Sequence, residues 1–175
     1  MPAPATVDEA LELLRALGAP ARLVRHHELV AEAAAELVGA LRGELRFDER
    51  LVVVGAALHD AGKVLHPGEM SGPGSSHEGA GEALLLGRGL PPALARFCRT
   101  HAEPAGPGGV LEDLLVALAD KLWKGKRVAE LEERLAGELE AQGCERWRAL
   151  SLVDELCERV AEGAEGRLAR SALVP

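Results

Sequence analysis

From Val7 to Val160 the apolar residues of this chain recur at three- and four-residue intervals, punctuated by Gly and Pro, and that spacing commits it to packing helix on helix. Thr6 followed by Glu9 makes a capping box ahead of Val7, Leu11 and Leu14, and Gly18 and Pro20 close that helix. A second helix is predicted from Pro20 to Gly43, with Leu23, Val30, Ala34, Leu37 and Leu41 on one stripe and His26 and His27 flanking it. Asp48 can cap Leu51–Leu58, a segment apolar all round and therefore central to the core, although its β-branched run reads equally as a buried strand. His66 to Ser76 is a Gly/Pro/Ser loop, and Ser75 with Glu78 forms a second capping box. Beyond Pro91-Pro92, the residues Leu94, Phe97, Cys98 and His101 share a face, which turns His101 inward. After a Gly106–Gly109 loop, Leu111, Leu114, Leu115, Leu118 and Leu122 form a stripe, with Asp120 on the other side between Val116 and Trp123. Two more patterns, Val128-Leu131-Leu135-Leu139 and Trp147-Leu150-Cys157-Val160, separated by Gly143, complete an all-α chain.

Composition narrows the function classes. The 175 residues fit one domain, residues 1–175, and 47% apolar with 27% charged residues is a globular balance. A net charge of −8 opposes binding to duplex nucleic acid, and two Trp, two Phe and no Tyr cannot build a platform for stacked bases. The three cysteines, Cys98, Cys144 and Cys157, form no C-x-x-C pair, which fits buried apolar residues in a reducing cytosol and excludes a zinc ribbon. No apolar run approaches the roughly 18 residues of a membrane span, so the expectation is a cytoplasmic protein with no membrane partner.

The six histidines are the most informative feature. His59-Asp60 ends an entirely apolar segment, where a carboxylate is costly unless a cation or strong donors hold it. Taken alone, Asp60 would simply pair with Lys63 at a turn. His26 or His27, His77, His101 and Asp120 add imidazoles and a carboxylate from other helices, a mixed N and O donor set suited to Fe, Mn, Zn, Ni or Co. The helical wheel does not choose between His26 and His27, since both lie about 50° from the stripe.

The order His26, His59-Asp60, Asp120 resembles the HD-domain metal-dependent phosphohydrolase superfamily, specifically its small stand-alone bacterial members. Four stretches carry the resemblance: Arg25-His26 followed by Val30-Ala31, then Leu58-His59-Asp60-Ala61-Gly62-Lys63, His77-Glu78-x-x-Gly81, and Leu118-Ala119-Asp120-Lys121. It implies an HD-domain bundle of about seven to eight helices, with the metal-site core at residues 20–127. Residues 128–175 would be a helical pair that packs on the core or forms a homodimer interface. It selects His26 over His27, and implies a metal held by His26, His59, Asp60 and Asp120. His77 and His101 stand where many members bind a second ion with Asp60 bridging, and two ions roughly 3.5–4 Å apart can clamp both oxygens of a phosphoryl transfer.

The implied activity is hydrolysis, by metal-activated water, of a phosphate ester or anhydride in a small substrate of nucleotide type. One or two divalent ions would serve, Fe or Mn favoured, with Zn, Ni, Co or Mg as alternatives. Asp60 and Lys63 are the expected catalytic residues, and Lys63, Lys124, Lys126 and Arg127 the expected phosphate contacts, with Lys121 at the surface. The absence of Tyr excludes the Gly-Tyr-Pro branch that cleaves cyclic dinucleotides, and Lys63 stands where the stringent-response and deoxynucleotide branches carry Glu. Diiron oxygenases on the same fold carry His at that position, so Lys63 favours hydrolysis. The rival from another class is a noncatalytic ligand-sensing or scaffold domain.

Overall fold

The computed structural model describes residues 3–104 and 110–174, so the loop read at Gly106–Gly109 lies outside the described residues. Among the described residues the chain is all-α, with no β-strand. Eight helices of eight residues or more carry the architecture: α1 (Val7–Ala16), α2 (Ala21–Leu41), α3 (Glu49–Ala56), α4 (Ser76–Gly87), α7 (Leu111–Leu122), α8 (Ala129–Ala141), α9 (Arg146–Glu162) and α10 (Ala164–Ala172). Two single turns of helix, α5 (Pro92–Ala95) and α6 (Phe97–Thr100), precede α7, and 3-10 turns occupy Ala61–Val64 and Pro67–Met70.

Side-chain caps set the starts of α1 and α3. Thr6 Oγ1 accepts from Glu9 N–H at 3.2 Å, but Glu9 reaches one residue further back than the capping box implies and takes the Ala5 amide at 2.6 Å. Asp48 Oδ1 accepts from Leu51 N–H at 2.9 Å and starts α3, which settles the strand alternative in favour of helix. That helix is not enclosed all round, because Leu51 and Val53 are only half-buried. The most enclosed helix is α7, where every residue from Asp113 to Asp120 is buried and α2, α3, α6, α8 and α9 pack around it. Its start is held by Arg96, whose Nε donates to the buried Asp113 carboxylate at 2.9 Å.

Close approach places the next elements. The Ala61–Val64 turn packs against α4 through Gly62 and Gly81, and a Cβ on Gly62 would run into the carbonyl oxygen of His77. Gly55 likewise leaves room on α3 for the Phe97 ring, which seats α6. Cys98 donates to Leu58 O at 3.4 Å, tying α6 to the turn that carries His59 and Asp60.

The C-terminal segment holds three helices where the sequence pattern implied two. In α9 the inward stripe is Ala149, Val153, Leu156, Cys157 and Val160, while Trp147 and Leu150 face solvent, so the predicted stripe was rotated at its first turn. α10 escaped the periodicity because its anchor is charged. Arg167, 1% exposed, donates to Val160 O at 2.8 Å and pairs with Glu36 and Glu32 of α2, and Arg170 meets Glu32 at 2.7 Å. Cys98 and Cys157 are buried and Cys144 is half-buried, all three as free thiols.

Candidate metal centre

Five elements deliver six side chains to one place. His26 comes from the second turn of α2, His59 and Asp60 from the turn after α3, His77 from the first turn of α4, His101 from the end of α6, and Asp120 from the last turns of α7. Asp60, 2% exposed, stands in the middle with its two oxygens divided. Oδ2 lies 3.3 Å from His26 Nε2 and 3.5 Å from His59 Nε2. Oδ1 lies 3.1 Å from His77 Nε2 and 3.3 Å from His101 Nε2. The result is two triads sharing Asp60, His26–His59–Asp60 and Asp60–His77–His101, each with donor atoms within 4.8 Å of one another. Asp120 Oδ1 joins the first, 3.4 Å from His59 Nε2 and 3.9 Å from His26 Nε2.

The adjacent histidines of α2 divide in role. His27 is fully buried, donates from Nδ1 to Leu23 O at 2.8 Å, and accepts at Nε2 from the Asp60 amide at 3.1 Å. Both nitrogens are spent, and burial holds its pKa well below the ordinary imidazole range. His26, one residue earlier, turns Nε2 into the cluster, with its ring edge-on to Trp123 at 5.1 Å.

The donor set fits a metal ion. His59 and His101 donate from Nδ1 to the carbonyls of Ala56 at 2.8 Å and Phe97 at 3.0 Å, and His77 Nδ1 meets Glu69 Oε2 at 2.6 Å, so three rings turn Nε2 inward as the nitrogen left to bind an ion once the ring is neutral. Nε2 of His26 and of His59 face each other at 3.4 Å, and buried Asp60 Oδ1 and His77 Nε2 make no hydrogen bond. Buried polar atoms converging without partners of their own are what a cation satisfies.

The electrostatics divide along the same lines. Burial alone would raise Asp60, but His59, His26 and His77 outweigh it and hold the carboxyl well below its usual range. Burial likewise opposes and His59 and Lys121 outweigh it at Asp120, which is also depressed. His59 sits above the ordinary imidazole value because Asp60 and Asp120 overcome its burial. The Asp60 carboxylate beside Nε2, and then Glu69 on Nδ1, raise His77. Burial lowers His101 to about 4 and also depresses His26.

A cavity of about 370 Å³ opens over the cluster. Lys63 and Lys124 line it, but Lys126 and Arg127, expected on the substrate phosphates, do not. Arg127 is engaged elsewhere, by Glu132 at 2.6 Å, Asp154 at 2.7 Å and Glu158 at 2.9 Å. Lys63 Nζ lies on Asp60 Oδ2 at 2.5 Å. Lys121, read as surface, instead pairs with Asp120 Oδ2 at 2.7 Å and lines the cavity.

Two charged residues at the site, one lining the cavity and one behind His77, had not been singled out in the sequence. Arg22, one turn before His26, joins Lys124 as a lining cation, and among the described residues neither pairs with a carboxylate. Glu69 is the other addition. Ser75 was expected to cap α4, yet its side chain makes no capping bond, and Glu69 does so from the Pro67–Met70 turn, accepting from Ser76 N–H at 3.2 Å and His77 N–H at 3.0 Å. The His77 ring and these amides pull the Glu69 carboxyl down to about 2.

Residues 23–124, more than half the chain, match the HD domain family, and the chain belongs to it. No solved structure is a significant match. The family includes metal-dependent phosphohydrolases as well as noncatalytic members, and the buried His/Asp groups here could hold a metal ion. No helix among the described residues is long and apolar enough to cross a membrane.

Proposed function

We propose that this protein is a metal-dependent phosphohydrolase that cleaves a phosphate ester or anhydride of a small, nucleotide-type substrate. The observation that carries the reading is the sharing of Asp60: one buried carboxylate gives Oδ2 to one donor triad and Oδ1 to the other, the arrangement of a bridge between two ions. His26, His59, Asp60 and Asp120 would hold one divalent ion, Fe or Mn by preference, and Asp60, His77 and His101 the second. Ions bound there supply Lewis acidity, making water a nucleophile near neutral pH and offsetting charge on the phosphoryl oxygens.

The chain's own residues do the rest. Lys63, on Asp60 Oδ2 and lining the cavity, is placed to donate to a phosphoryl oxygen as its charge grows. Lys124 and Arg22 hold the phosphate at the mouth. Trp123, 8% exposed, packs against His26 and shields that ring from water.

Lys63→Ala tests this. It should retain metal and fold but lose roughly 10²–10³-fold in turnover, the effect of deleting one transition-state donor. The assay is a hydrolysis screen over nucleoside mono-, di- and triphosphates and dinucleoside polyphosphates, with Mn or Fe added anaerobically and elemental analysis alongside. A protein that binds no transition metal and cleaves none of these is a ligand-sensing or scaffold member. One that consumes oxygen with an organic substrate is an oxygenase.

A further inference from the structure

Three imidazoles of the cluster turn Nε2 inward because something holds Nδ1, and the holders are not alike. His59 and His101 donate to the carbonyls of Ala56 and Phe97, three and four residues back along the same stretch of chain. Those acceptors are in place whenever the local backbone is folded. His77 depends on a carboxylate eight residues back, on a different element: Glu69 Oε2 takes its Nδ1 at 2.6 Å and its backbone N–H at 3.0 Å. Glu69 belongs to the Gly/Pro-rich segment between His66 and Ser75, and Met70 and Gly74 of that segment form part of the cavity wall.

A carboxylate on Nδ1–H does two things a neutral carbonyl does less well. It fixes the tautomer that leaves Nε2 free, and it makes Nε2 a better electron-pair donor. We infer that Glu69 is a positioning residue for the Asp60–His77–His101 triad, and that it couples the seating of segment 66–75 over the cavity to ion binding at that triad. With the segment seated, His77 is held with its Nε2 toward Asp60 Oδ1. With it lifted, the triad keeps two oriented donors and loses the third. The His26–His59–Asp60 triad takes no residue from this segment, so the two ion sites are unequal, one built in and one conditional. Binding energies couple reciprocally, so an ion at the conditional site must also hold the segment down. The inference rests on the metal reading of the cluster and adds the regulation of one half of it.

The test uses the full chain with Mn(II) as the probe. Glu69→Gln is the diagnostic variant: with its amide oxygen at the Oε2 position it still accepts from the His77 backbone N–H and from Nδ1–H, but without the negative charge that makes Nε2 a better donor. Calorimetry with elemental analysis should show one Mn site weakened by roughly 10–100-fold and the other unchanged. Ring nitrogen-15 spectra of the ion-free protein at mildly alkaline pH should show His77 protonated at Nδ1 in the wild type and a shift of the proton toward Nε2 in Glu69→Ala, which has no acceptor there. A purely structural cap predicts rescue by Gln, so two unweakened Mn sites in Glu69→Gln overturn the inference, as does an unchanged tautomer in Glu69→Ala. Hydrogen exchange on the wild type gives a reading independent of any variant's folding. Saturation with Mn should slow exchange across residues 66–77, and identical exchange with and without Mn overturns the coupling. A wild type that binds no Mn at all overturns the metal reading with it, whereas two intact sites in Glu69→Gln overturn this inference alone.

Discussion

Gly81→Ala tests whether the contact between the Ala61–Val64 turn and α4 sets the distance between the two halves of the site. A Cβ at Gly81 would lie 2.8 Å from Gly62 N and 2.9 Å from Cys98 Sγ, against an ordinary contact of roughly 3.4–4 Å. Relieving both requires α4 to back away by several tenths of an ångström or more. His77 lies one turn earlier on the same face, so its Nε2, now 3.1 Å from Asp60 Oδ1, moves with it. Overpacking of this kind costs about 1–3 kcal/mol, while replacing a mid-helix glycine by alanine returns about 0.5–1 kcal/mol. The net is a loss of up to about 2.5 kcal/mol, or a fall in Tm of up to about 10 °C at 2–4 °C per kcal/mol for a chain of this size. Gly137→Ala, in α8 with nothing within 4 Å of the added carbon, carries only the propensity gain and should raise Tm by about 1–4 °C. Differential scanning calorimetry on both variants, with Mn titration of each, separates the contributions. If Gly81→Ala gained stability as Gly137→Ala does and bound Mn like the wild type, the close approach would not be what positions His77.

Other expectations follow from the same geometry. His26→Ala should abolish binding at one Mn site, whereas His27→Ala leaves all six donors but orphans the buried Asp60 amide, a cost of about 1–3 kcal/mol read by denaturant melts. Metal loss without destabilisation in His27→Ala would reverse that division. Ion binding near neutral pH should release protons, because His59 and His77 hold theirs above the ordinary imidazole range in the ion-free chain and must shed them to ligate. Affinity should therefore rise with pH through that range, and calorimetry in buffers of different ionisation enthalpy should report the released protons. Identical heats in all buffers would contradict it.

The fold was legible wherever burial follows apolar periodicity. α1 and α2 announce themselves through caps and stripes, and Phe97, Cys98 and His101 point inward as their spacing requires. The pattern failed where charge replaces an apolar side chain at the contact. α10 is clamped by Arg167 and Arg170 onto Glu32 and Glu36 and has too few buried apolar residues to register. It also misplaced the centre: Leu51–Leu58 looks more enclosed than Leu111–Leu122 because it carries no charge. Yet Asp113 is buried on Arg96 and Asp120 among the histidines, so α7 is the one surrounded.

The site shows the same division between residue type and direction. Convergence of imidazoles and carboxylates could be read from the sequence, since those residue types on apolar faces have few other ways to be satisfied. Direction along the chain could not. Lys124 and Arg127 stand three residues apart, but Gly125 takes the chain through φ +77° between them, and the later side chain is delivered to Glu132, Asp154 and Glu158 and not to the cavity. Glu69 was hidden for the converse reason. Nothing periodic marks a carboxylate in a loop of Gly, Pro and Ser, and its partner is eight residues on. Only the local hydrogen-bond accounting exposes it: Ser75 makes no side-chain cap, the amides of Ser76 and His77 still need acceptors, and the nearby carboxylate that supplies them also sets the histidine ring.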